Sequence, residues 1–380
     1  MPAVFKTARQ RLISIISRNI IDPAKHFKYL RFKPLRKHSM RSIFTPLFIL
    51  FLTLTSYASK TTSLLIFPKQ GSILTRDTLV KGIRQAKQTI QLACPSLTET
   101  TLIGALKEAA TKGVSVHIMV DQPSQNKKIL SLKLKNFHVK SAGGLNADFS
   151  KIHQKFFILD GHMSLILTGN LTKESLIPGA SKKFPSGYRS FGYVVHAPAV
   201  VQEMARVFQA DWKKERIVPR GGSIVWGPDN QRSQILGKIR LARKSIHLYA
   251  CDLTDRGIRL ALEQALRHKI KVKILTVPYA FSDTRDQNKY ALTLLKRKGA
   301  SIKYFPNDIK RNAKKRRNRY GLEGTSVLID KDMLLIHSCE LGINSLASQR
   351  EFGIFTSNPT SISEFMKIFD HDWKKSLTSS

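Results

Sequence analysis

Two similar α/β halves in tandem, each a mixed β-sheet flanked by helices, are the architecture this 380-residue chain predicts. One observation behind it is an internal repeat. The segment from Ile83 to Val120 aligns without a gap to that from Ile239 to Thr276, matching Ile83/Ile239, Ala86/Ala242, Leu97/Leu253, Thr98/Thr254 and Ala105/Ala261. The ends of the halves match as well: FGYVVHAPAVVQEMARVFQADWKK from Phe191 and FGIFTSNPTSISEFMKIFDHDWKK from Phe352. Self-similarity at a fixed spacing marks a duplicated structural unit. The other observation is that the apolar period within each half switches between that of a strand and that of a helix.

Residues 1–61 stand apart. Residues 1–42 are rich in Lys and Arg, with Asp22 the only acid. Ile43 to Ala58 is an apolar run, shorter than the roughly 20 residues that span a bilayer. It fits the hydrophobic region of a signal peptide, with Ser56-Tyr57-Ala58 as a small-x-small cleavage site, and the runner-up is an uncleaved anchor. Translation from Met40 would give a compact signal with a basic start. Either reading predicts a catalytic region that is exported or membrane-anchored.

The first half, 62–218, opens its repeat with TIQLA, which reads as a strand. TLIGALKEAATKG reads as an amphipathic helix, with Leu102, Ala105, Leu106 and Ala109 on one face and Gly113 where a C-cap belongs. VSVHIMV is the next strand and VVQEMARVFQADWKK the closing helix. The second half, 222–376, follows the turn-rich VPRGG and repeats the scheme from SIHLY. Strand, helix, strand in succession implies βαβ units in a parallel or mixed sheet covered by helices.

Chemistry enters with KIHQKFFILD. His153 and Lys155 stand two residues apart before an apolar run that ends on Asp160. In a strand, that spacing puts both side chains on one face. A nucleophilic imidazole beside a fixed ammonium suits attack on a phosphodiester, since the ammonium neutralises the non-bridging oxygens as charge develops. Thr168-Gly169-Asn170 follows in register, adding a hydroxyl and an amide.

Here the chain resembles the phospholipase D superfamily, whose motif is H-x-K-x4-D followed by G-S-x-N. Leu167 stands at the family's Gly, where it would narrow the pocket; Thr168 stands at its Ser and Asn170 at its Asn. The resemblance implies a bilobal, metal-independent phosphodiesterase without a cofactor, its halves packed about a pseudo-twofold axis. His153 would be the nucleophile, Lys155, Thr168 and Asn170 would grip phosphate, and Asp160 would be mainly structural. In the second half the motif is degenerate. Overlaid through Asp330, the places of His153 and Lys155 hold Glu323 and Thr325, and those of Thr168 and Asn170 hold Ser338 and Glu340. The family's E-x-G carboxylate, which orients the His of the opposite half, is Ser190 in the first half and Glu351 in the second. The half that lost its His thus still offers a carboxylate to His153. Glu323, kept protonated by burial, is one candidate general acid and His337 the other.

Lys and Arg number 64 against 26 Asp and Glu, a net charge of +38. Such a surface attracts polyanions, whether anionic membranes or nucleic acid. The densest run, Lys310 to Tyr320, directly precedes Glu323 and could hold phosphates at the rim of a shared pocket. Cys94, Cys251 and Cys339 are too few for a disulfide framework, and buried thiols or a single Cys94–Cys251 bridge are the readings open. No cluster has convincing metal-ligand spacing. The favoured function is a phospholipase D-type hydrolase acting on phospholipid. Its rivals are a nuclease of the same superfamily and an inactive phosphate-binding pseudoenzyme.

Overall fold

The computed structural model describes residues 62–67, 74–121, 123–142, 149–182, 187–277, 286–305 and 321–378. All belong to one compact unit, Thr61–Ser380. The apolar segment 43–58 and the basic run 310–320 lie outside the described residues.

The first half begins with β1 (Thr62–Phe67), α1 (Leu74–Gln85), β2 (Thr89–Cys94), α2 (Thr100–Thr111), β3 (Ser115–Val120), α3 (Lys127–Leu130) and β4 (Phe137–Ser141). It continues through β5 (Lys151–Ile152), β6 (Phe156–Leu159), β7 (Met163–Leu167), α4 (Lys173–Leu176), β8 (Tyr188–Val195) and α5 (Pro198–Lys213). The second half begins with β9 (Ile224–Trp226), α6 (Gln231–Arg240), β10 (Ser245–Ala250), α7 (Arg256–Arg267), β11 (Lys271–Thr276), α8 (Lys289–Arg297) and β12 (Ser301–Tyr304). Then come β13 (Gly321–Leu322), β14 (Thr325–Ile329), β15 (Met333–His337), α9 (Ile343–Ser348), β16 (Gln349–Arg350), β17 (Phe352–Thr356), α10 (Pro359–Lys375) and β18 (Leu377–Thr378).

The duplication predicts equivalent sheets, and the strand orders agree. The first runs β1-β8-β7-β6-β2-β3-β4, and the second β9-β17-β15-β14-β10-β11-β12-β18. Both are mixed: β2, β3 and β4 pair in parallel, whereas β6, β7 and β8 pair antiparallel. Local sequence explains the helices between the parallel strands. The Glu99 carboxylate accepts the Leu102 N–H at 2.7 Å to start α2, and Asp255 accepts that of Ile258 at 2.8 Å to start α7. Gly113, at φ +93°, supplies the left-handed residue that ends the α2 turn.

Each sheet buries its outer face under its own helices, with Leu102, Leu106 and Phe157 in one core and Ile258, Leu262 and Val327 in the other. The inner faces share a third core. Helices α5 and α10 enter it with Met204, Phe208, Phe365 and Phe369, which pack with Phe156, Phe191, Trp226, Tyr249 and Phe352 from both sheets. Trp226 and Phe352 lie 4.4 Å apart, ring centre to ring centre. Burial of each such side chain stabilises by roughly 1.5–3 kcal/mol, so the halves are held together by one apolar interior.

Two strand exchanges cross the boundary expected between 62–218 and 222–376. β13 pairs in parallel with the start of β8, and β16 pairs in parallel with β5. Beside each exchange lies a buried ion pair. Arg189 reaches Asp372 with two bonds of 2.7 and 2.9 Å, and Arg350 reaches Asp211 at 2.7 Å.

Candidate active site

The motif segment is not the continuous strand its alternation suggests. Pairing stops after Ile152 and resumes at Phe156, because the chain here leaves β16 and joins β2 and β7. In the gap, the N–H groups of His153 and Gln154 both donate to the Arg350 carbonyl, at 2.8 and 2.9 Å. His153 and Lys155 nonetheless come together as expected. The Lys155 ammonium, 1% exposed, donates to the His153 carbonyl at 2.9 Å and lies 3.3 and 3.4 Å from the two ring nitrogens.

Across the seam, His153 Nδ1 lies 2.9 Å from Glu351 Oε1. Glu351 is fully buried and also accepts the hydroxyls of Ser338 at 2.5 Å and Ser345 at 2.6 Å. Burial alone would raise this carboxyl, but His153, its hydrogen bond and the Lys155 charge outweigh that effect and hold it at about 2. Burial depresses the imidazole, against the pull of Glu351 and with the push of Lys155. The resting pair is therefore a neutral imidazole that donates Nδ1–H to a carboxylate and keeps a lone pair on Nε2, 3.4 Å from the Lys155 ammonium. Lys155 is likewise lowered by burial, opposed by the carboxylates of Glu351, Glu323 and Glu340.

Glu323 occupies the second half's counterpart of the His153 position, and its N–H donates to the Arg189 carbonyl at 3.1 Å as that of His153 does to Arg350. It accepts the Asn170 backbone N–H at 3.1 Å, the Asn170 amide at 3.0 Å and the Ser175 hydroxyl at 2.7 Å. Burial pushes it up, opposed by the Ser175 bond, by Lys155 and by Asn170. Gly169 belongs to this corner: a Cβ there would stand 2.7 Å from Ser190 Oγ and 2.9 Å from Glu323 Oε2. The other candidate acid, His337, is packed differently. It is fully buried, its Nδ1 accepts the Cys339 N–H at 2.8 Å, and burial lowers it to about 4.

Two expectations need correction. Thr168 is fully buried and its hydroxyl oxygen accepts the Phe191 N–H at 2.9 Å, so it ties β7 to β8 where a phosphate contact was expected. Ser338 makes the same bond to Phe352 at 3.1 Å. Leu167 packs in the first half's outer core and does not narrow a pocket. Asp160 binds backbone at the start of β2. It accepts the N–H groups of Lys87, Gln88 and Thr89 at 2.8, 2.7 and 2.9 Å, and Asp330 does the same for Arg243, Lys244 and Ser245. The three cysteines are buried thiols that form no disulfide, and burial pushes the Cys94 thiol up to about 12. Among the described residues, no group of three or more His, Cys, Asp or Glu side chains is placed to hold a metal, and no helix is long and apolar enough to cross a membrane.

Sequence reasoning missed Ser175 and Ser345, which donate to the two site carboxylates. A signal was there: each serine stands five positions after the residue at the motif's Asn place, Asn170 or Glu340.

Comparison with known proteins places the family and the fold. A family model described as "Cardiolipin synthase, PLD-like domain" matches residues 79–212 and again 235–373. The fold is similar to that of phosphatidylserine synthase from Haemophilus influenzae Rd KW20, with a TM-score of 0.62 and 10% identity over 84% of this chain and 87% of that one. Polyphosphate kinase from Porphyromonas gingivalis is similar with a TM-score of 0.59 and 14% identity, over 82% of this chain and 47% of that one. Protein FAM83B of Homo sapiens is 31% identical over 113 residues, which is 26% of this chain and 11% of the human protein.

Proposed function

The chain belongs to the PLD-like domain family, and from that premise we propose a metal-independent phosphodiesterase that works through a phosphohistidine at His153. The contact of His153 with Glu351 carries the reading. It fixes the tautomer in which Nε2 is free to attack, and Lys155 stands beside it to balance charge on the non-bridging oxygens.

In the first step Nε2 bonds to phosphorus and the bond to the leaving oxygen breaks. That oxygen takes the proton of the Glu323 carboxyl, which burial favours in its neutral form. Glu323 suits this role better than His337 because it occupies the place equivalent to the nucleophile. In the second step water gives a proton to the Glu323 carboxylate and bonds to phosphorus, and the P–N bond returns its electron pair to Nε2. Asn170 keeps one amide hydrogen beyond the one given to Glu323 and would hold a phosphate oxygen together with Lys155.

The proposed substrate is a phospholipid at an anionic membrane surface. The family model's description as cardiolipin synthase, the likeness to a phosphatidylserine synthase and the net charge of +38 support it. A specific observation favours nucleic acid as the second reading. A cavity of about 340 Å³ beside Thr254 is lined by Arg256, Arg259, Gln287 and Tyr290, pairing cations with an exposed ring. Turnover of phosphatidylcholine, cardiolipin and single-stranded DNA in EDTA, with His153→Ala as control, is the test. Lipid headgroup release by the wild type alone is expected; cleavage of DNA without lipid selects the nuclease, and no turnover of any diester selects the pseudoenzyme. Export or anchoring through residues 43–58 belongs to the same proposal. N-terminal sequencing of the processed protein should find a start near Ser59, and an intact Met1 on a cytoplasmic protein would reject it.

A further inference from the structure

Glu340 is the one carboxyl of the site to which neither the orienting nor the proton-donating role falls. It stands where Asn170 stands in the other half. Asn170 bonds through backbone and side chain to Glu323, the counterpart of His153. Glu340 thus holds the second half's counterpart of the Asn170 place, from which the amide of a symmetric site would donate to phosphate, and its first charged neighbour is Lys155, the ammonium beside His153. The backbone is held by a different partner from that of Asn170. Glu340 N–H donates to Ser345 Oγ at 3.1 Å, and Ser345 in turn donates to Glu351. Asp252 closes the turn behind it, because a Cβ on Gly342 would come within 2.1 Å of Asp252 Oδ2. Glu340 and Glu323 are both partly exposed, whereas Glu351 is fully buried, and Glu323 is taken up by its Asn170 and Ser175 partners.

A carboxylate at this position would repel the anion that the site must hold. A neutral carboxylic acid would instead present an O–H donor, as the amide does. We propose that Glu340 is a phosphate-binding residue that acts as a neutral acid, so that the site admits a phosphodiester monoanion only while Glu340 is protonated. This rests on the phosphodiester reading above.

The charged groups facing Glu340 are Lys155 just before β6, Glu351 after β16, Asp252 after β10 and Lys151 on β5. Burial pushes the Glu340 carboxyl up to about 8; Lys155 and Lys151 oppose this, and Glu351 and Asp252 add to it. Protonation is thus the ordinary state near neutrality and is lost in mild alkali. Replacement of an amide by an acid makes binding pH-dependent where it would otherwise be flat.

Dimethyl phosphate is a suitable probe, since it stays a monoanion throughout the range and is inert on the time scale of binding. Its affinity for the full-length protein, read from phosphorus NMR line broadening, should fall about thirtyfold between about pH 6.5 and about pH 9.5. Glu340→Gln should bind at the lower pH as the wild type does and stay nearly level. An equal alkaline loss in Glu340→Gln overturns the inference alone and points to Lys155. No binding by the wild type at either pH overturns the phosphodiester reading with it. Infrared difference spectra of Glu323→Gln, which removes the other raised carboxyl of the site, give a second reading: a neutral carboxyl band that disappears between the same pH values supports the proposal, and failure of any band to disappear there overturns it.

Discussion

Arg350 of the second half places its guanidinium 2.7 Å from Asp211 at the end of α5 in the first half, with both side chains buried. Arg189 of the first half returns the contact to Asp372 on α10. Removal of one partner from such a buried pair strands a charge and costs about 3–5 kcal/mol. Arg350→Ala should therefore lower the urea midpoint of the whole unit in a single transition. Two separated transitions, one per half, would contradict the shared inner core.

His153→Ala should abolish turnover, because the proposed mechanism needs its Nε2 to bond to phosphorus. Lys155→Ala should lose about two or more orders of magnitude in kcat, the usual scale for a charge that stabilises the transition state. Rapid quenching with labelled substrate should trap phosphate on His153 in the wild type and nowhere in His153→Ala.

Glu351→Gln should lower kcat with little change in KM, because the amide no longer fixes the tautomer by accepting Nδ1–H as an ion. Its stability signature is distinct. The folded carboxyl is held at about 2, below its unfolded value of roughly 4.3. The group therefore contributes stability that is present above about pH 4.3 and lost as pH falls toward about pH 2. Urea midpoints should drop more steeply across that window in the wild type than in Glu351→Gln.

The kcat–pH profile should be bell-shaped. Its acid limb reflects His153, lowered from its ordinary value, and its alkaline limb reflects Glu323, raised from its own. Activity thus rises as the imidazole loses its proton and falls as Glu323 loses its own. Glu323→Gln should flatten the alkaline limb while slowing release of poor leaving groups most.

Asp160→Ala and Asp330→Ala should behave alike, since each carboxylate gathers three backbone N–H groups at the same point of its half. Unpaired buried donors cost about 1–3 kcal/mol each, though these are partly exposed and water will take some of them. Thermal melts should show similar losses, and the surviving folded fraction of Asp160→Ala should retain turnover.

Much of this was legible in the chain. The repeat from Ile83 and Ile239 fixes the equivalence of the sheets, and the surviving Glu351 predicts its contact with His153. Crossed pairing was not legible. Nothing in KIHQKFF says that Lys151 and Ile152 pair with Gln349 and Arg350 while Phe156 pairs with Ala93, because partner choice between ladders is a tertiary matter. Thr168 misled for a similar reason. A hydroxyl in a motif reads as a ligand contact, but its burial between β7 and β8 leaves a backbone N–H as its nearest partner.

The crossed strands have a mechanical consequence. His153 N–H hangs from the Arg350 carbonyl, one residue before the carboxylate that orients its ring. A clam-like parting of the lobes would tear His153 from Glu351 before it admitted anything between them. Under the proposed mechanism the lobes must stay clasped throughout, with the seam sutured while a diester is turned over.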